Sequence, residues 1–207
     1  MIVEYLVSNE NVEQIVQALD PSPEDRILAI CGSGDQVFAL AESGARVVAF
    51  DKDSYQLDYA KRRAELIREE EYGEFLSRIA GFSGFRAMIK GYFSEPGRLN
   101  RIRNNLPRVS FLESGITNLN EEKIGKSNKI YASNAIGYRG FAEALNELGI
   151  IASFLPTDGL LYVANGYFVK QTISCVKEFK DQFELIEEFA DTSHAWDPML
   201  FRKVGET

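Results

Sequence analysis

The stretch "ILAICGSGDQVFAL", residues 27–40, constrains this chain more than any other. Ile27-Leu28-Ala29-Ile30-Cys31 is an almost unbroken apolar run, as expected of a strand covered on both faces. It meets Gly32-Ser33-Gly34, after which Asp35 can cap a helix running to about Ser43, with Gly44 as its stop. Arg46-Val47-Val48-Ala49-Phe50 reads as a second strand ending at Asp51. Asp53 or Ser54 then caps a long helix with Leu57, Ala60, Ala64 and Ile67 on one face. Strand, helix, strand, helix in this spacing implies a right-handed parallel unit. The two glycines between strand and helix let a ligand approach the backbone.

The same alternation organises most of the chain. Ser8 or Asn9 can cap a first helix bearing Val12, Ile15, Val16 and Leu19, which ends at Asp20-Pro21-Ser22-Pro23. Residues 72–107 break the rhythm and read as short helices. Strands are expected at 108–112, 129–132 and 160–164, the last entered from the turn Pro156-Thr157-Asp158-Gly159. Helices are expected at about 139–153 and 169–181. Residues 183–189 and 199–203 suggest a terminal antiparallel pair. The expectation is an α/β fold: a doubly wound, mostly parallel seven-stranded Rossmann-like sheet. A helical insertion precedes its third strand, and residues 1–207 form a single domain.

Composition narrows the function classes. With 207 residues and 45% hydrophobic content the chain can bury a sizeable core. No apolar run approaches the roughly 20 residues that span a bilayer. The first residues lack the basic flank and apolar stretch of a signal peptide, so a cytoplasmic protein is expected. Cys31 and Cys175 lie in apolar contexts and read as buried free thiols. With His194 the only histidine, no zinc site and no other metal site is expected. A Cys–His nucleophile pair is disfavoured, because neither cysteine sits in an electropositive sequence context. His194-Ala195-Trp196-Asp197-Pro198 reads as a turn anchored by Trp196. The net charge of −8 argues against a nucleic-acid partner.

In sheets of this kind a ligand lies beyond the carboxyl ends of the strands. Four loops would meet there: Gly32-Ser33-Gly34, Phe50-Asp51-Lys52, Leu112-Glu113-Ser114-Gly115 and Ser133-Asn134-Ala135-Ile136-Gly137. Asp51 falls where an acid accepts both ribose hydroxyls, which suits a dinucleotide or a nucleoside such as S-adenosylmethionine. Two residues favour the nucleoside. A G-x-G-x-x-G fingerprint requires a small residue at position 37, and Val37 stands there. Asp35 puts negative charge where a pyrophosphate would sit. The alternative is that the glycines merely make a tight turn and Asp51 merely caps the next helix.

These residues resemble the class I S-adenosylmethionine-dependent methyltransferase superfamily over residues 26–203. "ILAICGSGD" resembles its first motif, "VVAFDKD" its second-strand acid, "FLESGITNL" its third-strand adenine loop and "YASNAIGY" its fourth-strand motif. Within that superfamily, "LAICGSGDQVFALAESGARVVAFDKDSYQLDYAKRRAELIREEEYGEFL" together with "YASNAIGY" is similar to the betaine-lipid synthesis family. That family transfers the 3-amino-3-carboxypropyl group of S-adenosylmethionine to diacylglycerol. The resemblance implies a cofactor held by the loop Cys31, Gly32, Ser33, Gly34 and Asp35. It gives the ribose to Asp51 beside Lys52, and the adenine to Glu113, Ser114 and Gly115. Asn134 would line the reaction centre. Methyltransferases often carry an acid two residues before the first glycine. Ile30 occupies that position here, which leaves the methionine end to Asp35 or to weak binding.

The chain implied is a transferase moving a methyl or an aminocarboxypropyl group to an unidentified acceptor. A noncatalytic protein retaining the fold and a NAD-dependent oxidoreductase are the alternatives. No general base is evident: Asn134 cannot deprotonate, and Tyr131 and Tyr138 read as packing residues. Between residues 78 and 108 lie Arg78, Arg86, Lys90, Arg98, Arg101, Arg103 and Arg108, with Glu95 the only acid and aromatics interleaved. One reading is a contact surface for a small anionic or lipid-like acceptor, or for a membrane surface. Arg86, Lys90, Asn134 and Tyr138 are then the substrate-binding candidates. The other is a helical cap whose arginines are solvated or paired with the acids of residues 65–74.

Overall fold

A computed structural model describes residues 3–79, 84–133, 135–136, 140–165, 182–189 and 197–205. The contacts divide the chain into two compact units, Met1–Asp25 with Ala29–Ser114 and Arg26–Leu28 with Gly115–Thr207.

The first unit opens with α1 (Val12–Leu19). Asn11, not Ser8 or Asn9, caps it, its side chain accepting from the Glu13 and Gln14 amides. Ser8 is engaged elsewhere: its hydroxyl accepts from the Gln36 side chain at 2.6 Å and from the Glu10 amide at 3.1 Å. Asp20, the first residue of the expected Asp20-Pro21-Ser22-Pro23 stop, ends α1 in the left-handed conformation. In β1 (Arg26–Ile30) the central Ile27, Leu28 and Ala29 are fully buried. The short α2 (Asp35–Ala41) is buried on all sides, and β2 (Arg46–Asp51) buries its apolar middle.

Asp53 caps α3 (Ser54–Arg68) through the Tyr55 amide. The inner face of α3 carries Leu57, Ala60, Ala64 and Ile67 as expected, and with them Gln56 and Arg63. The insertion consists of α4 (Tyr72–Ser77), α5 (Phe85–Phe93) and α6 (Arg98–Asn105). It is held by buried Phe75, Ile79, Ile89, Phe93, Leu99 and Ile102, with Phe75 and Phe93 packed edge to face at 5.3 Å. β3 (Val109–Glu113) follows, parallel to β2, with Asp51 paired to Glu113.

The second unit holds α7 (Glu121–Ile124), β4 (Lys129–Tyr131), α8 (Phe141–Phe154), β5 (Leu160–Asn165), β6 (Phe183–Leu185) and β7 (Asp197–Lys203). β4 and β5 are parallel, with Tyr131 paired to Tyr162 and their rings tilted toward each other at 5.4 Å. β7 runs antiparallel to both β5 and β6. The Lys203 ammonium donates to the carbonyls of Ala152 and Leu155 and so closes the end of α8.

The strand order is β3-β2-β1-β4-β5-β7-β6, a seven-stranded, mostly parallel α/β sheet with an antiparallel edge. The terminal pair forms as expected, but β6 is shorter than predicted and β7 longer. The helix expected at 169–181 lies outside the described residues, as do Cys175, His194 and Trp196. Among the described residues no helix is long and apolar enough to cross a membrane.

Candidate functional site

The first unit brings the glycine loop, Asp51 and the end of β3 together. Cys31 follows β1, its amide donating to the Phe50 carbonyl at 2.8 Å. Its thiol is buried, and that burial, reinforced by the Asp51 charge, pushes it far above the ordinary thiol range. Such burial disfavours the thiolate form. Gly32 (φ +47°) and Gly34 (φ +88°) both adopt backbone that favours glycine, but for different surroundings. A Cβ on Gly34 would lie 2.9 Å from the Phe38 ring and 3.2 Å from Ala60, so this glycine lets α2 and α3 close on the loop. A Cβ on Gly32 would meet nothing within 4 Å. Gly32 is the residue whose face is open to a ligand.

Asp51 is tied to that glycine. One carboxylate oxygen accepts from the Gly32 amide at 3.1 Å, the other from the Asp53 amide at 3.0 Å. Partial burial raises the Asp51 pKa, and these two donors pull it back. Each oxygen keeps acceptor capacity beyond its one backbone partner. The Ser114 amide donates to the Asp51 carbonyl at 2.9 Å, which fixes the end of β3 against the end of β2. Ser114 is buried, while Glu113 and Lys52 are exposed and Ile30 is half-buried. Gly115 begins the second unit and precedes a single 3-10 turn, Ile116–Asn118. Asn134 and Tyr138 lie outside the described residues.

Asp35 departs from the expectation. Its side chain is 0% exposed and accepts from Arg63 at 2.7 Å, from the Ser33 hydroxyl at 2.7 Å and from the Ser8 amide at 2.8 Å. Both oxygens are engaged inside the protein, so neither is available to a cofactor ammonium. Nor does Asp35 set a repelling charge at the loop, because the Arg63 guanidinium neutralises it. Val37 remains as the departure from the dinucleotide fingerprint, and it is fully buried.

Arg63, Gln56 and Ser8 are the residues that sequence reasoning missed. Arg63 is 0% exposed. One terminal nitrogen donates to Asp35, the other to the Ser33 carbonyl at 2.8 Å. Its guanidinium lies 4.7 Å from the Phe75 ring centre and 5.8 Å from those of Phe38 and Tyr59. The Gln56 carboxamide donates to the Gly32 carbonyl at 2.9 Å and the Tyr5 carbonyl at 2.7 Å, and accepts from the Tyr5 amide at 3.1 Å. A signal was present: Gln56 and Arg63 stand seven residues apart on the apolar face of α3.

The basic segment is largely paired. Arg78 meets Glu74, Arg103 meets Glu70, and Arg98 and Arg101 converge on Glu42. Arg108 donates to the Pro23 carbonyl. The helical cap with paired arginines describes most of this segment. Arg86 and Lys90 stand exposed one turn apart on α5, and Met88 is also exposed.

No protein-family model matches the chain, and no curated protein does. Solved structures do. A SAM-dependent O-methyltransferase from Thermotoga maritima aligns over 98% of this chain and 68% of its own, with a TM-score of 0.61 and 15% identity. Magnesium protoporphyrin IX methyltransferase from Synechocystis PCC 6803, with bound SAM, aligns over 93% and 77% at 0.57 and 15%. P. horikoshii TYW2, in complex with MeSAdo, aligns over all of this chain and 67% of its own at 0.57 and 13%. This chain has the Rossmann-like fold of S-adenosylmethionine-dependent methyltransferases. At these identities the likeness is one of fold, and the site must carry the function.

Proposed function

We propose that the chain is an S-adenosylmethionine-dependent transferase, moving a methyl or a 3-amino-3-carboxypropyl group to a small, anionic or lipid-like acceptor. The observation that carries this reading is the coupling of Gly32 to Asp51. The open glycine and the carboxylate share a hydrogen bond, which sets a diol acceptor beside a loop glycine whose face is clear. Asp51 would accept the ribose hydroxyls, and Glu113 and Ser114 would flank the adenine. Bound there, the cofactor supplies a sulfonium electrophile with three carbons open to attack. The protein's part is to bind, to orient and to exclude water. Exposed Arg86 and Lys90 support an anionic acceptor, or peripheral contact with a membrane surface.

Thermal shift with S-adenosylmethionine against NAD tests the cofactor. Ligand at 100 times its dissociation constant stabilises by about 2.7 kcal/mol, a visible shift. A shift with NAD alone would overturn the reading. Nucleoside products then separate the transfers: S-adenosylhomocysteine marks methyl transfer, methylthioadenosine the aminocarboxypropyl route. A noncatalytic nucleoside-binding protein is the second reading. Ile30 and the engaged Asp35 favour it, since neither offers an acid to the cofactor's ammonium. Turnover by the wild type that is lost in Asp51→Ala would exclude it.

A further inference from the structure

We infer that Arg63 is a positioning residue for nucleoside binding, acting through Asp35 and the Ser33 carbonyl to hold the Gly32–Gly34 backbone open. The inference rests on the transferase reading for its ligand, but its structural part stands alone.

Three observations converge. First, the guanidinium uses two different nitrogens on two different parts of the loop, the Asp35 carboxylate and the Ser33 carbonyl. A planar fork fixes both distances at once, which a single ammonium cannot do. Second, Phe38, Tyr59 and Phe75 surround the guanidinium, so its plane is set by packing before the loop meets it. Third, Asp35 passes the constraint on: its second oxygen takes the Ser33 hydroxyl and the Ser8 amide. Gln56, one face-repeat earlier on α3, fixes the Gly32 carbonyl in the same way. Every polar group of Ser33 named here is therefore tied inward, and Gly32 is left presenting its open face.

A buried ion pair could instead serve stability alone, and the experiment separates the two roles. Arg63→Lys keeps the charge and loses the fork. Arg63→Met combined with Asp35→Leu removes both charges, so that no unpaired charge is buried and the variant can fold. Arg101→Ala, an exposed arginine of the insertion, is the control. Two quantities are read: amide hydrogen exchange at residues 32–35 relative to β1 and β2, and S-adenosylmethionine affinity by calorimetry.

In Arg63→Lys, exchange at 32–35 should rise while the strands keep their protection, and affinity should fall on the order of ten-fold. The double variant should melt lower than the wild type, because the Ser8 amide and Ser33 hydroxyl lose their acceptor, and should bind on the order of ten-fold weaker. Arg101→Ala should change neither. Wild-type exchange and affinity in the double variant would overturn the positioning role, as would uniform loosening of loop and strands together in Arg63→Lys. If the wild type binds no S-adenosylmethionine, the transferase reading fails. Loop-specific exchange in Arg63→Lys then decides the positioning role without it.

Discussion

Two arginine–carboxylate clusters of the first unit invite comparison. At the glycine loop, Arg63 and Asp35 meet at 2.7 Å, both 0% exposed. In the insertion, Arg101 and Glu42 also meet at 2.7 Å, but Arg101 is 48% exposed. Arg98 joins that second cluster, its guanidinium 3.7 Å from the Tyr92 ring centre, and the Tyr92 hydroxyl donates to Glu42 at 2.8 Å. The contact distance is the same and the consequence is not. Water can replace the exposed Arg101, so losing it costs little. Nothing replaces a partner of the buried pair, so the geometry of one side is imposed on the other. The buried pair fixes the shape of a loop, while the exposed cluster fastens a cap.

Breaking the buried pair from one side should give the largest effect. Arg63→Met alone should lose about 3–5 kcal/mol in chemical denaturation, because Asp35 is left charged and buried. A loss below about 1 kcal/mol would erase the distinction between the clusters.

The two glycines sharpen the comparison next. Gly34→Ala should destabilise by about 1–3 kcal/mol from backbone strain, with the Phe38 clash added. Gly32→Ala carries strain without a clash, so the smaller melting shift should accompany the larger loss of S-adenosylmethionine affinity. Equal affinity losses for the two would break that assignment.

Asp51 gives a smaller effect on stability and a clear one on pH dependence. Its folded pKa is raised by burial. Such a carboxyl lowers stability once ionised, in full above the folded pKa, and the cost disappears as pH falls below the unfolded value. Binding has the opposite sign, since the ribose needs the ionised acceptor. Calorimetry should therefore show affinity falling on acidification from a pH above the usual aspartate range. Asp51→Asn should bind on the order of ten-fold weaker and melt close to the wild type, and a pH-independent affinity in the wild type would remove Asp51 from the ribose. Smallest of all, Arg101→Ala should cost about 0–1 kcal/mol and leave affinity unchanged.

The glycine loop, the strand ending at Asp51 and the alternation of strands and helices were legible in the sequence because each is local. Apolar runs, a 3.6-residue period and turn residues declare themselves within a dozen positions. The features that escaped are those decided at long range. Asp35 looked free because its partner lies 28 residues on, and Ser8 looked like a cap because Gln36 is equally distant. Pairing of the 78–108 arginines with the acids of residues 65–74 is one of the two readings of the sequence, and Glu70 and Glu74 fit it; Glu42, more than fifty residues before Arg98 and Arg101, was missed. Only the polar pair Gln56 and Arg63, set into an apolar helix face, betrayed that something polar waited across the interface.

The Gln56 carboxamide has a consequence for how the molecule assembles. It holds Tyr5 across 51 residues and Gly32 across 24. The segment around Tyr5 gains these bonds only once α3 has formed. Contacts of such separation form slowly, after the local ones. The segment around Tyr5 thus docks only with α3, and it settles together with the loop it adjoins.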